Sequence, residues 1–358
     1  MSSLSPFWKR ALVRVIAVLC AMVLCGVLAF ALIPKLADEP ARIGEFYKCF
    51  LDGCFKSVSY VWTALKDVAI LLCVALAVTP AFRMKFWNIG GEGQTLIGVL
   101  AAEGLAYNFG GKMPEWLLLL LMLAAALAAG ALWGFIPAFF KARWNTNETL
   151  FTLMMNYVAS FLVAFFLTKW ITNGSMVMPK LNYGRLPVLG NNPYLLVILL
   201  VTLLTVGLFV YLNYSKHGYE ISVVGESINT AKYIGINVKK VVIRTMILSG
   251  ALCGFAGFLI GAGINNSVSE SSVDGRGFTA IMVSWLAKFS PLFMLVTAGV
   301  IVFLQRGASE IMSTFDVTGA LTNIFVGLTL FFIIGCEFFL NYQLHFRKSK
   351  KNAEKEAV

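Results

Sequence analysis

Charge is scarce in this 358-residue chain: only 13% of its residues are Asp, Glu, Lys or Arg, where a soluble domain carries about a quarter. Histidine is limited to His217 and His345, and no Cys or His spacing matches a metal-ligand pattern. A Gly-x-x-x-x-Gly-Lys-Ser/Thr phosphate loop is absent, so the chain itself is not expected to hydrolyse ATP. No membrane-embedded His, paired Asp or nucleophile constellation supports intramembrane catalysis. No stretch is long and polar enough for a soluble domain. What is present is apolar, with 59% hydrophobic residues and a mean hydropathy of +0.79. A crossing helix needs about 20 apolar residues, so the expected fold is all-α: a polytopic membrane helix bundle of roughly ten segments, with 1–358 forming one transmembrane domain.

The formal charge of +11 would suggest nucleic acid in a soluble protein. Here Lys and Arg gather at the ends of apolar runs, which is the signature of membrane orientation and contact with lipid headgroups. Placing alternate loops puts Arg83, Lys85, Lys141, Arg143, Lys216, Lys239, Lys240 and the basic tail on one side. That bias favours both termini in the cytoplasm. Most of the seven cysteines lie inside apolar runs as packing residues. Cys49 and Cys54 share a polar loop and would pair only if it faces an oxidising side.

Along the chain, the apolar run Ala11–Ile33 is too long for a signal-peptide core and reads as a retained first helix. Pro34–Lys56 reads as a polar loop, and Trp62–Val78 as a second helix stopped by Pro80. Asn88 is then expected to cap a helix whose opening turns carry Glu92 and Gln94, either as part of a substrate pathway or at an interfacial packing loop. Asn147 caps the next helix but one, on which Glu148, Thr152, Asn156 and Ser160 fall four apart along one side. That stripe serves interhelical hydrogen bonding or lines a pore. Gly250, Gly254, Gly257 and Gly261 form a bare strip suited to close helix packing, within one subunit or between two. Phe278–Ala287 and Leu292–Phe303 are short enough to be a helix pair or a re-entrant element. QRGASEIMST then leads to a final helix over Val317–Leu340.

The longest polar segment of the second half is Lys216–Lys240. Within it Ser227 reads as an N-cap and Gly235 as the C′ glycine of a helix of about two turns. So short a helix is unstable alone. Ile228, Ala231, Tyr233 and Ile234 are therefore expected to fill a groove on another protein, which makes 215–240 a cytoplasmic coupling loop.

Four ordered motifs, NIGGEGQTLIG (Asn88–Gly98), NETLFTLMMNY (Asn147–Tyr157), GYEISVVGESINTAKYIGINV (Gly218–Val238) and SGALCGFAGF (Ser249–Phe258), resemble permeases of bacterial ABC importers. The similarity is to the ribose and branched-chain amino acid permease superfamily and its nucleoside-type (guanosine or simple-sugar) branch, over about Phe86–Met312. It implies a permease subunit of the bacterial inner membrane that imports a small polar, uncharged solute such as a nucleoside, riboflavin or a sugar. Implied partners are cytoplasmic ATP-binding subunits holding ATP and Mg, a second, paralogous permease and an external substrate-binding lipoprotein, with no cofactor in this chain. The resemblance also implies that Ser227, Ile228, Asn229, Ala231, Lys232, Tyr233, Ile234 and Gly235 dock on the ATPase. Ser222, where relatives often carry Arg, and the Trp285–Pro291 stretch depart from the pattern. The rival is an ion-coupled transporter working through Glu92, Glu103 or the Lys66–Asp67 pair.

Overall fold

The structure, a computed structural model, describes residues 20, 22–31, 33, 42–171, 175–190, 192–320, 324–329, 331–332 and 335. Among the described residues its regular structure is helical, apart from isolated bridges between Val177 and Ser269 and between Leu189 and Asn192. In order, the helices are α1 Met22–Ala31, α2 Ile43–Phe55, α3 Val58–Arg83, α4 Gly91–Phe109, α5 Glu115–Trp144 and α6 Glu148–Trp170. They continue as α7 Leu195–Tyr214, α8 Lys216–Glu226, α9 Ile228–Tyr233, α10 Val238–Ile260, α11 Arg276–Leu286 and α12 Pro291–Phe315. A π turn, Gly261–Asn265, extends α10. Six helices (α3, α5, α6, α7, α10 with its π turn, and α12) are long and apolar enough to cross a membrane. At 11 residues, α11 is too short to do so. About half of each of the expected first and last helices lies outside the described residues, as do the termini on which the orientation bias partly rests.

Two compact units form, residues 1–56 with 303–358, and residues 57–302. In the first, Phe46 sits among Cys25, Ala29, Ile33, Phe50, Phe315 and Phe325, all buried, and meets Phe50 and Phe325 edge to face. Lys56 pairs with Glu310 at 2.6 Å.

In the second unit α10 is the hub, packed on α5, α3 and α4, while α7 and α11 pack on α3, and α6 on α4. The glycine strip makes this closeness possible. A Cβ on Gly254 would overlap the Ala126 carbonyl oxygen of α5, and one on Gly250 would overlap that of Gly130. A Cβ on Gly257 would fall 2.7 Å from the Val99 nitrogen of α4, and one on Gly261 2.7 Å from Glu103 Oε1. The facing helices answer with Gly130 and Gly134 on α5 and Gly98 on α4, so backbone meets backbone and dispersion replaces the absent hydrophobic drive.

Several expectations are corrected. Pro80 lies inside α3, which runs on to Arg83. A proline removes one helix hydrogen bond, here the one that the Leu76 carbonyl would accept, a loss that a bundle tolerates; one residue earlier, Thr79 and Ser284 both donate to the Ala75 carbonyl, at 2.6 and 3.0 Å. The loop 34–56 contains α2, whose five-residue separation of Cys49 from Cys54 rises about 7.5 Å along one helix, beyond the roughly 7 Å Cα separation a disulfide tolerates; the two are not bridged. QRGASEIMST is not a connector but the C-terminal part of α12. Asn88 is not the N-cap of α4; Gly90 holds that position.

Candidate functional site

The stretch before α4 is fixed by polar side chains from three directions. Asn88, buried, accepts from Gly90 N at 3.1 Å and exchanges two 3.2 Å bonds with Gln94, while its Nδ2 also reaches Ser249 Oγ of α10 at 3.3 Å. From α6, Thr152 Oγ1 accepts from Ile89 N at 3.1 Å. Asn156 accepts from Gly93 N at 2.9 Å and donates to Ile89 O at 3.0 Å. The α6 stripe therefore meets backbone groups that the start of a helix leaves unpaired. Asn147 caps α6 through Leu150 N at 3.2 Å, and Glu148 of the stripe pairs with Lys141 at 2.8 Å. Ser160 is half-buried further along.

Glu92 reaches the other way. Its two carboxylate oxygens accept from Gly275 N at 2.9 Å and Gly277 N at 2.6 Å, so a side chain of α4 caps the first turn of α11. Anion at a helix N-terminus is the favourable arrangement. Gly275 stands at φ +69°, a conformation that glycine enters at no steric cost. Further along α11, Phe289 just past its end stacks on Phe82, and Trp285 contacts Trp87. With Arg276 reaching Asp67 and Ser284 bonded to Ala75, α11 thus follows α3 in the same chain sense. Residues 276–290 are a short helix and tight turn folded against α3, then joined to the long α12.

Glu103, near the far end of α4, is buried, and its Oε1 has no hydrogen-bond partner among the described residues. Lys66 pairs with Asp67 at 3.1 Å. No group of three or more His, Cys, Asp or Glu side chains able to hold a metal occurs among the described residues.

The polar loop after α7 is two helices, not one. Ser215 caps α8 through Gly218 N at 3.0 Å, and Ser227 caps α9 through Thr230 N at 3.2 Å, with Gly235 at φ +84° closing it. Buried His217 joins three elements: Tyr211 Oη lies 2.6 Å from Nδ1, and Thr245 Oγ1 3.2 Å from Nε2. Burial, then the nearby Arg244 charge, pushes the imidazole below its ordinary value against an opposing pull from Glu220. Gly225 packs on the Arg83 backbone, and Arg83 itself donates to Leu212 O and Asn213 Oδ1 at 3.4 and 3.2 Å. On this anchored base Ala231 is buried, whereas Tyr233 is 93% exposed, Ile228 53% and Ile234 50%. Asn229, Lys232 and Gly235 are exposed beside them and Ser227 is half-buried. Sequence reasoning read the polarity of Lys216–Glu226 as loop and so missed α8. It also did not join Asp67 to Arg276, since no local pattern links residues so distant in the chain.

The model of the family described as "Branched-chain amino acid transport system / permease component" matches residues 60–334. The chain is 30% identical to the guanosine ABC transporter permease protein NupP of Bacillus subtilis, over 87% of this chain and 90% of that one. It is 28% identical to the glucose ABC transporter permease protein TsgB13 of Haloferax volcanii, over 95% and 91%. To the nucleoside ABC transporter permease protein NupB of Lactococcus lactis it is 25% identical, over 97% and 96%.

Proposed function

Because the chain belongs to the family of permease components of branched-chain amino acid transport systems, we propose that it is the membrane subunit of an ATP-driven importer whose solute is small, polar and uncharged, most plausibly a nucleoside. Two relatives named for guanosine and nucleoside transport support that solute class; the relative named for glucose keeps a sugar as the second reading, with riboflavin a further member of the same chemical class.

The observation that carries the reading is the loop 215–240. A short helix held by three caps and the His217 junction presents Tyr233 and about half of Ile228 and Ile234 outward, uncovered among the described residues. An apolar patch on a rigid polar loop marks a protein contact, and the partner that fits is the cytoplasmic ATP-binding subunit, with ATP and Mg held there. Ser227, Asn229, Lys232 and Gly235 complete the docking surface, and buried Ala231 seats α9 on its own chain. A second, paralogous permease and an external binding lipoprotein complete the assembly in the bacterial inner membrane. Both termini are then cytoplasmic, and the crossings number roughly ten. Both compact units belong to one permease domain.

In this reading Glu92, Gln94, Thr152, Asn156 and Ser160 frame the substrate pathway: the first four fix where α4 and α11 begin, and a change of docking at α9 is transmitted through α10 to that frame. Gly250, Gly254, Gly257 and Gly261 keep α10 tight enough to move as one body with α4 and α5. The test is uptake of tritiated guanosine, uridine, glucose and riboflavin by proteoliposomes holding the whole assembly. Uptake of one of them that needs ATP and survives collapse of proton and sodium gradients is expected. Uptake that persists without the ATPase and vanishes with a gradient would replace this reading with ion coupling.

A further inference from the structure

Charged side chains inside a bundle are costly and face either each other or the transported species. Arg276 is such a residue. Glu92 grips the backbone on either side of it, at Gly275 and Gly277, so its Cα is rigidly placed while its side chain extends back along α3. Among the described residues its guanidinium makes no hydrogen bond; its one partner is Asp67 Oδ1 at 3.7 Å, too far for one. Its N–H donors are thus left to water, or to a solute that displaces it, on a side chain that is only 26% exposed. Asp67 is 19% exposed, and Lys66, 3.1 Å from it, lies against the Tyr194 ring at 5.3 Å.

We propose that Asp67 and Arg276 form a solute-recognition pair between α3 and the capped start of α11, the carboxylate accepting from the solute and the guanidinium donating to it. The charge count selects the solute class. Among the described residues Lys66 and Arg276 stand against Asp67, Glu92 and exposed Asp274, so these show no surplus of positive charge for an anion. A neutral molecule carrying hydroxyl or ring N–H donors next to carbonyl or ring-nitrogen acceptors satisfies both members at once. At 3.7 Å the two are not hydrogen-bonded to each other, so a solute lying alongside can bond both without first breaking a direct hydrogen bond between them. This inference rests on the importer reading and assigns residues to its solute contact.

The experiment compares Asp67→Asn, Arg276→Lys, and the charge swap Asp67→Arg with Arg276→Asp, in the full assembly, using the same four radiolabelled solutes and the ATPase rate of each complex. Each single variant is expected to raise the half-saturating solute concentration by about ten-fold, the cost of one charge-assisted hydrogen bond, and to reorder preference among the solutes, with ATP hydrolysis unchanged. The swap restores an ion pair but reverses which helix donates, so it is expected to assemble and hydrolyse ATP without regaining wild-type uptake. A swap that regains wild-type uptake and ranking makes the pair a structural bridge and overturns the proposal. If the swap does not assemble, Arg276→Lys decides: wild-type saturation and ranking overturn the proposal, and a reordered ranking sustains it. Wild-type protein that imports none of the four sinks the importer reading and this one with it, whereas wild-type uptake beside unaltered variants sinks this one alone.

Discussion

Replacing Asn156 by Leu removes the two bonds by which α6 holds the entry to α4. Gly93 N loses its acceptor at 2.9 Å and Ile89 O its donor at 3.0 Å, and both groups lie where the bundle admits little water. A buried group left unsatisfied costs about 1–3 kcal/mol, so the plain sum for two is about 2–6 kcal/mol. Measured hydrogen bonds between membrane helices average only about 0.6 kcal/mol, because the reference state also finds partners. The expected loss therefore lies near the bottom of that sum, about 1–3 kcal/mol. Leu has as many side-chain heavy atoms, but its methyl carbons cannot approach Gly93 N and Ile89 O as closely, so a steric cost adds to the loss of the polar contacts. Asn156→Asp keeps the acceptor for Gly93 N but sets an oxygen against Ile89 O, and it should fall between wild type and Leu in stability. The assay pairs thermal unfolding in detergent with the kinetics of solute uptake. Unfolding at a lower temperature, with a reduced maximal rate and little change in half-saturation, is the expected pattern. A Leu variant as stable as wild type that differs only in half-saturation would show that the amide faces the solute, not the backbone of α4.

Two further outcomes are expected. The double variant Tyr233→Asp with Ile234→Asp should leave detergent stability within about 0.5 kcal/mol of wild type, as exposed substitutions usually do, while co-purification with the ATPase and uptake both fall by about ten-fold or more; a variant that still assembles and couples hydrolysis to uptake refutes the docking surface. His217, held below its ordinary value by burial, contributes stability that is fully present above its unfolded value near about 6.5 and is lost as pH falls. Unfolding temperature should drop on acidification from neutral pH more steeply in wild type than in His217→Gln, and parallel slopes would remove the imidazole from the account.

Local chemistry was the legible part. Ser227 with Gly235, and Asn147 before its polar stripe, act through backbone groups two or three residues away, so sequence alone exposes them. The glycine spacing of α10 likewise announces a close approach, although not that α5 and α4 carry the matching glycines. Pro80 misled because a helix packed on α7, α10 and α11 can run on for another turn past a proline, and that packing comes from residues far away in the chain. Asn88 was misplaced by two residues because its side chain serves Gln94 and Ser249 as well as Gly90. Glu92 was legible as an inward carboxylate, but its partners are two backbone amides of α11, which carry no side-chain signature. Arg276 has its ion-pair partner on α3, about two hundred residues earlier, and so carries no local signature either. QRGASEIMST carries Gln, Arg and Glu among small residues, a composition equally suited to a linker and to one face of α12.

The seam where Gly130 and Gly134 meet Gly250 and Gly254 has a genetic consequence. Every missense change one base away from a glycine codon encodes a residue with a Cβ, and at Gly250 and Gly254 that first carbon already overlaps a carbonyl oxygen of α5. Gly130 is no more forgiving, since its own added carbon would overlap the Gly250 carbonyl. Neither helix offers the other a smaller residue with which to compensate, because glycine is the lower limit. Drift at this seam therefore cannot proceed by trading volume across the contact, as it does in ordinary cores; it requires the two helices to move apart, and with them every element that α10 holds.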